Sequence, residues 1–405
     1  MSTPCSNFKT TRREVNRLYK ELIGTLKEAG KDQSSEARDR ADILLDALEK
    51  KLIALKKEFA EYFDLFVEVL QRSEHTAERL EKLKQTNLWD KANELWIHSM
   101  DRNGHEGNTS RYTKDQFLYT RLLIALGEED KARIHFEKLK QTNLWDKKNG
   151  QWVQYILETG AVGNINRSAG IQLSYLHTLI ALGEEDKARI HFEKLKQTNL
   201  WDKQEKLWIN NIRKNGSEGD TDCFTGDQLS HLRLLVALGK EEVAKTYLAK
   251  LKTDFWDEEE GLWAWGMNRH SGETYTRRYT NDQLSYLRLL IALGKKEEAK
   301  AHLAKFKQTS LWDEEEELWI QRIQKDSNGG INVYSTNDQL SYLRLLIALG
   351  KKEEAKAHLA KLKQTNLWNK ENQLWIWLIQ KDGTEVGVHS VEDQLLGALV
   401  EGLME

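Results

Sequence analysis

Moving a proton on a substrate, or cleaving a glycosidic bond, needs two titratable groups held across the reacting atoms. This sequence offers such groups in short polar stretches. The richest carries Trp265, Asn268, Arg269, His270, Glu273, Arg277, Arg278 and Tyr279. Others carry His105, Glu106 and Arg111; Glu158 and Arg167; Glu218, Asp220 and Asp222; Asp326; Glu385 and His389. Glu273 with Glu218 or Asp222, or His270 with His389, would supply an acid/base pair, and solvated loop charge is the competing reading. Nothing in the spacing selects between them. Trp265, Trp377, Asn268, Arg269, Arg278 and Tyr279 are candidate ligand contacts, the two tryptophans because an indole face suits a sugar ring. The spacing shows no metal-ligand cluster, and no phosphate-cradling glycine loop or nucleophile elbow that would imply a cofactor.

The elements that must position these residues come from a repeat. Trp occurs 14 times, and twelve of these form six pairs seven residues apart: Trp89/Trp96, Trp145/Trp152, Trp201/Trp208, Trp256/Trp263, Trp312/Trp319 and Trp368/Trp375. Successive pairs are 56, 56, 55, 56 and 56 residues apart. A Gln follows each pair: Gln116, Gln172, Gln228, Gln283, Gln339 and Gln394. A residue that every unit uses is a packing part of the unit, so the twelve tryptophans are assigned to core. Trp265 and Trp377 stand off the repeat, each two residues after a repeat Trp.

Each unit reads in three parts. Lys295 to Gln308 has one narrow apolar stripe at helical spacing and predicts an outer helix. The Trp pair and a turn-rich loop follow, with Leu318-Trp319-Ile320 and Val333-Tyr334-Ser335 suited to a small hairpin. From Asn337 or Asp338 to Leu349 the apolar residues cover most of the helical circle, which predicts an inner helix that Gly350 ends. Near its start lies an Asp in five of six copies (Asp115, Asp227, Asp282, Asp338, Asp393), favoured there by the helix dipole. Five residues after each Gln come Arg121, His177, Arg233, Arg288 and Arg344, with Leu399 in the sixth copy. A cation on a buried helix is costly unless paired or wet. These residues either bridge to carboxylates on neighbouring helices, the favoured reading, or line a central channel and bind an anion. His135, His191, His302 and His358 on the outer helices are assigned to packing.

No unit can bury its own apolar face, so neighbours must. Six units of near-constant length favour closure, and the layout "YTNDQL…ALGKKEEAK…LWDEEEGLW" resembles the α/α-toroid superfamily: six-hairpin glycosidases, sugar 2-epimerases and prenyltransferase-like toroids. The resemblance covers about residues 73–405 and implies an all-α toroid of six helix-pair repeats of roughly 56 residues with short hairpin-like loops. An open α-solenoid or a seven-hairpin ring is the alternative. Residues 1–72 lie outside the exact repeat. They read as a helical hairpin with a heptad-like stripe, which is a cap, a worn seventh unit or a dimerisation element. Asp220-Thr221-Asp222-Cys223 falls one acid short of the D-x-D-D motif of cyclising terpene enzymes.

Composition excludes several classes. The net charge of −3 gives no case for nucleic acid or an anionic membrane. Two cysteines make no disulfide framework, no apolar run reaches the length of a membrane span, and no secretory leader is visible, so a cytoplasmic protein is expected. Two functions then stand. A non-catalytic repeat scaffold, binding a protein or carbohydrate partner on its loop rim or in its cavity, is favoured because near-identical walls resist an asymmetric site. A carbohydrate-active enzyme, a glycoside hydrolase or sugar epimerase, is the alternative.

Overall fold

The structure is a computed structural model, and it describes residue 43 and residues 73–404 apart from 102–104, 106, 165, 214–216, 218–220 and 325–332. The chain divides into two compact units at residue 71/72, and only the second is described as a body. The expected N-terminal hairpin, its heptad stripe and any dimerisation through it lie outside the described residues, as do Glu106, Glu218, Asp220 and Asp326.

Twelve helices alternate along the described chain. The outer ones are α1 (Ser73–Leu83), α3 (Glu129–Leu139), α5 (Glu185–Leu195), α7 (Glu241–Phe255), α9 (Lys296–Phe306) and α11 (Lys352–Leu362). The inner ones are α2 (Thr113–Ala125), α4 (Ala169–Ala181), α6 (Thr225–Ala237), α8 (Thr280–Ala292), α10 (Thr336–Ala348) and α12 (Val391–Met404). Each inner helix packs on the next, and α12 packs back on α2. The ring is therefore closed by six inner helices, which excludes both the open solenoid and a seventh hairpin in the wall.

Closure joins the two ends of the unit. The first outer helix, α1, packs on the last inner helix, α12. A Cβ at Gly402 would lie 1.8 Å from Thr76 Oγ1, and Arg79 reaches Glu401 at 3.8 Å. Only glycine admits so close an approach.

Each Trp pair forms a two-rung antiparallel hairpin, with Trp89 opposite Trp96 and Trp312 opposite Trp319. The second Trp of every pair is fully buried, and its ring meets the first at 4.7–5.3 Å. Each hairpin turns through one residue with positive φ. That residue is Gly150 or Gly261 in two copies, and Glu94, Lys206, Glu317 or Gln373 in the others. The inner-helix Gln clamps the backbone of the second Trp. Gln283 Oε1 accepts from Trp263 N at 2.8 Å and its Nε2 donates to Trp263 O at 2.9 Å, and all six copies repeat this. A side-chain amide thus substitutes for a third strand and satisfies two buried backbone groups.

The second hairpin expected within the unit is instead a ladder between units. Val333–Ser335 pairs with Leu378–Gln380 of the next copy, and Tyr334 meets Ile320 of its own copy only in an isolated bridge. The same exchange runs round the ring and ends with His389–Ser390 on Ser99–Met100. Neighbouring units are stitched at the end where the inner helices begin.

Candidate functional site

The end of the ring where the inner helices start is a mouth built from equivalent positions of six units. The residue two past the second Trp lies in the bend between the Trp hairpin and the inter-unit strand. These residues are His98, Gln154, Asn210, Trp265, Gln321 and Trp377. Their carbonyls hold the first N–H groups of the inner helices: His98 O accepts from Val391 N at 2.9 Å, and Trp377 O from Thr336 N at 3.0 Å.

His98 is the group in the mouth best equipped for proton transfer, and the sequence reading passed over it. Its Nδ1 is 3.0 Å from Oδ2 of Asp115, whose side chain is 2 % exposed while the His98 ring is 32 % exposed. Burial works against the imidazolium, but the Asp115 bond and the nearby Glu392 outweigh it and hold the His98 pKa above its ordinary value. Burial also raises Asp115. The pair therefore keeps its proton to higher pH than a free imidazole. With Nδ1 engaged, Nε2 is left for a substrate. Tyr112 packs on the ring at 4.1 Å. Beside the pair, Lys114 and Glu392 join α2 to α12 at 2.7 Å.

Trp377 is 43 % exposed. Its N–H donates to Val388 O at 3.0 Å, and Val391 N, three residues on, donates to His98 O. One short segment thus bridges the two backbones, a gap of roughly 10 Å at about 3.3 Å per residue. Trp265 is different. It stacks on Phe224 at 4.6 Å, meets Tyr275 at 5.3 Å and Tyr279 at 5.5 Å, and carries the Arg277 guanidinium at 5.8 Å. Copies one and four are opposite in a ring of six, so this aromatic cluster stands across the mouth from His98.

Several expected site residues are committed elsewhere. Arg278, buried, pairs with Asp257 at 2.8 Å and Glu260 at 3.1 Å. Arg111 with Asp90 and Arg167 with Asp146 make the same clamp within their units. Copy four's predecessor has Cys223 at that position, and Arg269 reaches in from the next unit to hold Asp202 at 2.5 Å. Cys223 is buried and its thiol is pushed up to about 12 by burial first and then by Asp202, so it is no nucleophile. His389 fills the clamp position of the last copy. It is fully buried, with Nδ1 2.8 Å from Trp375 O and Nε2 3.3 Å from Asn372 Nδ2, so it neither meets His270 nor faces substrate. Asn268 Oδ1 caps a turn by accepting from His270 N and Ser271 N, and His270 and Glu273 are exposed on that turn. Asp222 accepts from the Tyr275 hydroxyl. Tyr279 takes a 3.0 Å bond from Arg322. Of the loop pairs expected for acid/base work, His270 and His389 are thus not brought together, and Glu273 with Glu218 lies partly outside the described residues.

The helix-start aspartates lie between inner helices. A Cβ at Gly170 would be 2.6 Å from Asp227 Oδ1, and one at Gly226 would be 3.0 Å from Asp282 Oδ1. Burial pushes Asp227 up to about 7 and Asp338 up to about 8, and raises Asp282 and Asp393 well above the usual range. Deeper in the ring lie Arg121, His177, Arg233, Arg288 and Arg344. The favoured bridges are not made: among the described residues none of the four arginines pairs with a carboxylate. His177 accepts no charge either, since burial holds it down to about 3 and its Nε2 lies 3.1 Å from Ser230 O. The outer-helix histidines pack on inner-helix aromatics, as His135 does edge-on to Tyr119 at 4.8 Å. A separate cavity of about 320 Å³ beside Trp145, Asp146 and Arg167 contains none of the mouth residues. Among the described residues no cluster could hold a metal ion and no helix is long and apolar enough to cross a membrane.

No family model and no curated protein matches the sequence. Solved structures do match. Cellobiose 2-epimerase from Bacillus thermoamylovorans B4167 superposes at a TM-score of 0.63 and 11% identity, over 80% of this chain and 98% of that one. A D-mannose isomerase gives 0.61 at 12% identity, over 82% and 96%. The GH76 alpha-mannanase of Bacteroides thetaiotaomicron gives 0.55 at 10%, over 84% and 97%. The chain is an α/α toroid. The scaffold reading gives way here: the toroids that this one resembles are sugar epimerases, isomerases and glycosidases, so the carbohydrate-active alternative is the better supported. Its physical premise also fails. Near-identical walls still leave room for variation, because the bend position two past the second Trp carries His98, Gln154, Asn210, Trp265, Gln321 and Trp377 in the six copies.

Proposed function

We propose that this toroid is a carbohydrate-active enzyme of the epimerase or isomerase type, working at the mouth. The observation that carries the reading is the His98–Asp115 pair, buried on its acid side and open on its imidazole side, with exposed Trp377 at the same position of the neighbouring unit. Trp377 offers a stacking face. Asp115 fixes the His98 tautomer and raises its basicity, so in the neutral imidazole Nε2 takes a proton from the carbon beside a sugar carbonyl. The C–H electron pair becomes the C=C of an enediolate, and the carbonyl π pair moves to oxygen. Lys114 sits next to Asp115 as the nearby cation. Returning the proton from Nε2 to the neighbouring carbon on the same face gives the isomer, and returning it to the original carbon after the enediolate has turned its other face to His98 gives the epimer. An imidazole suits this step near neutral pH better than hydrolysis, which needs two carboxyls across the bond; Glu392 is held by Lys114.

The test is deuterium wash-in at C2 of mannose, glucose or cellobiose in D₂O, followed by NMR. His98→Asn should lower the rate by about 10²-fold or more, and Trp377→Ala should raise KM. Wash-in at the same rate in His98→Asn, or none with any of these sugars, would overturn the reading.

A further inference from the structure

The bore beneath the mouth holds charge that the mouth chemistry does not use. On each inner helix, positions spaced three and four apart share one face. One such face carries Lys114, Leu118 and Arg121 on α2, Gly170, Ser174 and His177 on α4, and Gly226, Ser230 and Arg233 on α6. It carries Asn281, Ser285 and Arg288 on α8, Asn337, Ser341 and Arg344 on α10, and Glu392, Leu396 and Leu399 on α12. This face turns to the ring axis, because the arginines influence one another across it. Arg121 feels Arg233 and Arg344, Arg233 feels Arg344, and Arg288 feels Arg233 and Arg344. Arg121, Arg233 and Arg344 stand on alternate helices, so they meet through the lumen and not along the wall.

The arginines have little to hold them. Arg121 reaches Ser174 Oγ at 3.4 Å, and Arg288 reaches Asn281 Oδ1 at 3.3 Å and Leu284 O at 3.4 Å. Arg233 Nε is buried with no partner. The compensating charges felt are Glu392 for Arg121 and Asp338 for Arg288, while Arg233 and Arg344 have none. Burial and the neighbouring guanidiniums push Arg121 and Arg233 down to about 10, still cationic at neutral pH. All four are partly solvent-reached, and the residues one turn towards the mouth on α4, α6, α8 and α10 are the small side chains Ser174, Ser230, Ser285 and Ser341.

We propose that the bore is a binding site for a multivalent oxyanion of the phosphate or sulfate type, held by Arg121, Arg233, Arg288 and Arg344. Four cations in a confined lumen, two of them with no compensating charge, are costly, and an anion that accepts several N–H bonds at once removes both the repulsion and the unmet donors. A guanidinium is built for this contact. The serines one turn towards the mouth add hydroxyl donors. The oxyanion is either free or a substituent of a sugar whose ring occupies the mouth. The proposal does not rest on the catalytic reading, since binding is measured without turnover.

The test is calorimetric titration of the intact protein with inorganic phosphate at constant ionic strength, chloride serving as control, beside thermal melts. Saturable binding of one phosphate per chain is expected, with a rise in Tm that chloride does not produce. Arg233→Leu and Arg344→Leu should weaken it tenfold or more. Leucine fits this position, because Leu399 occupies it in the sixth copy. Without phosphate these variants should melt at or above the parent, since a self-repelling buried charge is gone. Glucose 6-phosphate binding tenfold tighter than phosphate would place the anion on a sugar, and equal affinity would make it free phosphate. Phosphate heat no greater than that of chloride, unchanged affinity in both variants, or variants that melt lower with no phosphate effect would overturn the proposal.

Discussion

The outer wall and the axial lining of this toroid are made from the same six units, yet they treat polar groups in opposite ways. In the wall every unit repeats a closed circuit: Gln binds both backbone groups of the second Trp, and the residue after the first Trp caps the hairpin turn. That residue is an Asp in five copies and Asn369 in the last. In Asp313 the carboxyl caps Glu315 and Glu316, meets Tyr334 and Lys381, and is held down to about 2 by its hydrogen bonds despite partial burial. In the lining the equivalent-looking acids are raised by burial, and none of the four arginines makes an ion pair among the described residues. Where partners come from the unit itself, duplication copies the paired backbone groups together with the one wall donor left over, the buried indole N–H of each second Trp. Where the axis brings copies of one residue together, duplication multiplies a charge.

The comparison breaks most sharply on the wall. Trp319→Ala removes a fully buried indole and should cost about 3–5 kcal/mol in urea unfolding, and Trp312→Ala, half-buried, clearly less. Equal losses would show that both rings are core. Gln283→Leu leaves two buried backbone groups unpaired and should cost about 2–4 kcal/mol. The lining should act through pH. Asp227 and Asp338 have folded pKa values near 7 and 8, above those of the unfolded chain, so their protonated forms favour the fold below about pH 4. That contribution is lost as pH rises through 7 and 8. The Tm should therefore fall between pH 5 and pH 8, and Asp338→Asn should flatten the fall. Asp313 has the opposite sign: its contribution is full above about pH 4 and lost towards pH 2. A Tm that rises from pH 5 to pH 8 would contradict the burial of the ring acids. The smallest effect is expected at the hairpin turn, where Lys206 holds φ 57° and two other copies use glycine. Lys206→Gly should stabilise by about 1 kcal/mol, read as a higher urea midpoint.

The repeat made much of this legible. Inner and outer helices and the assignment of the twelve tryptophans to packing follow from periodicity and from recurrence in every copy. The site was less legible. Arg269 and Arg278 look like ligand groups because loops advertise their charge, but their partners Asp202 and Asp257 are set by ladders and turns that spacing does not reveal. His98 was missed because the position two past the second Trp drew notice only where it carries tryptophan. Compared with Trp265 and Trp377 at the same position of their units, it marks where the repeat allows variation.

The sequence alone determined the unit, its two helix types and the number of copies, because helical periodicity and local hydrogen bonding act within a few tens of residues. Only the tertiary structure decided that α12 meets α2 and α1, that strands pair between units, and that four arginines face one lumen. Those depend on the small rotation each unit adds to the next, a quantity that packing sets and no single repeat encodes.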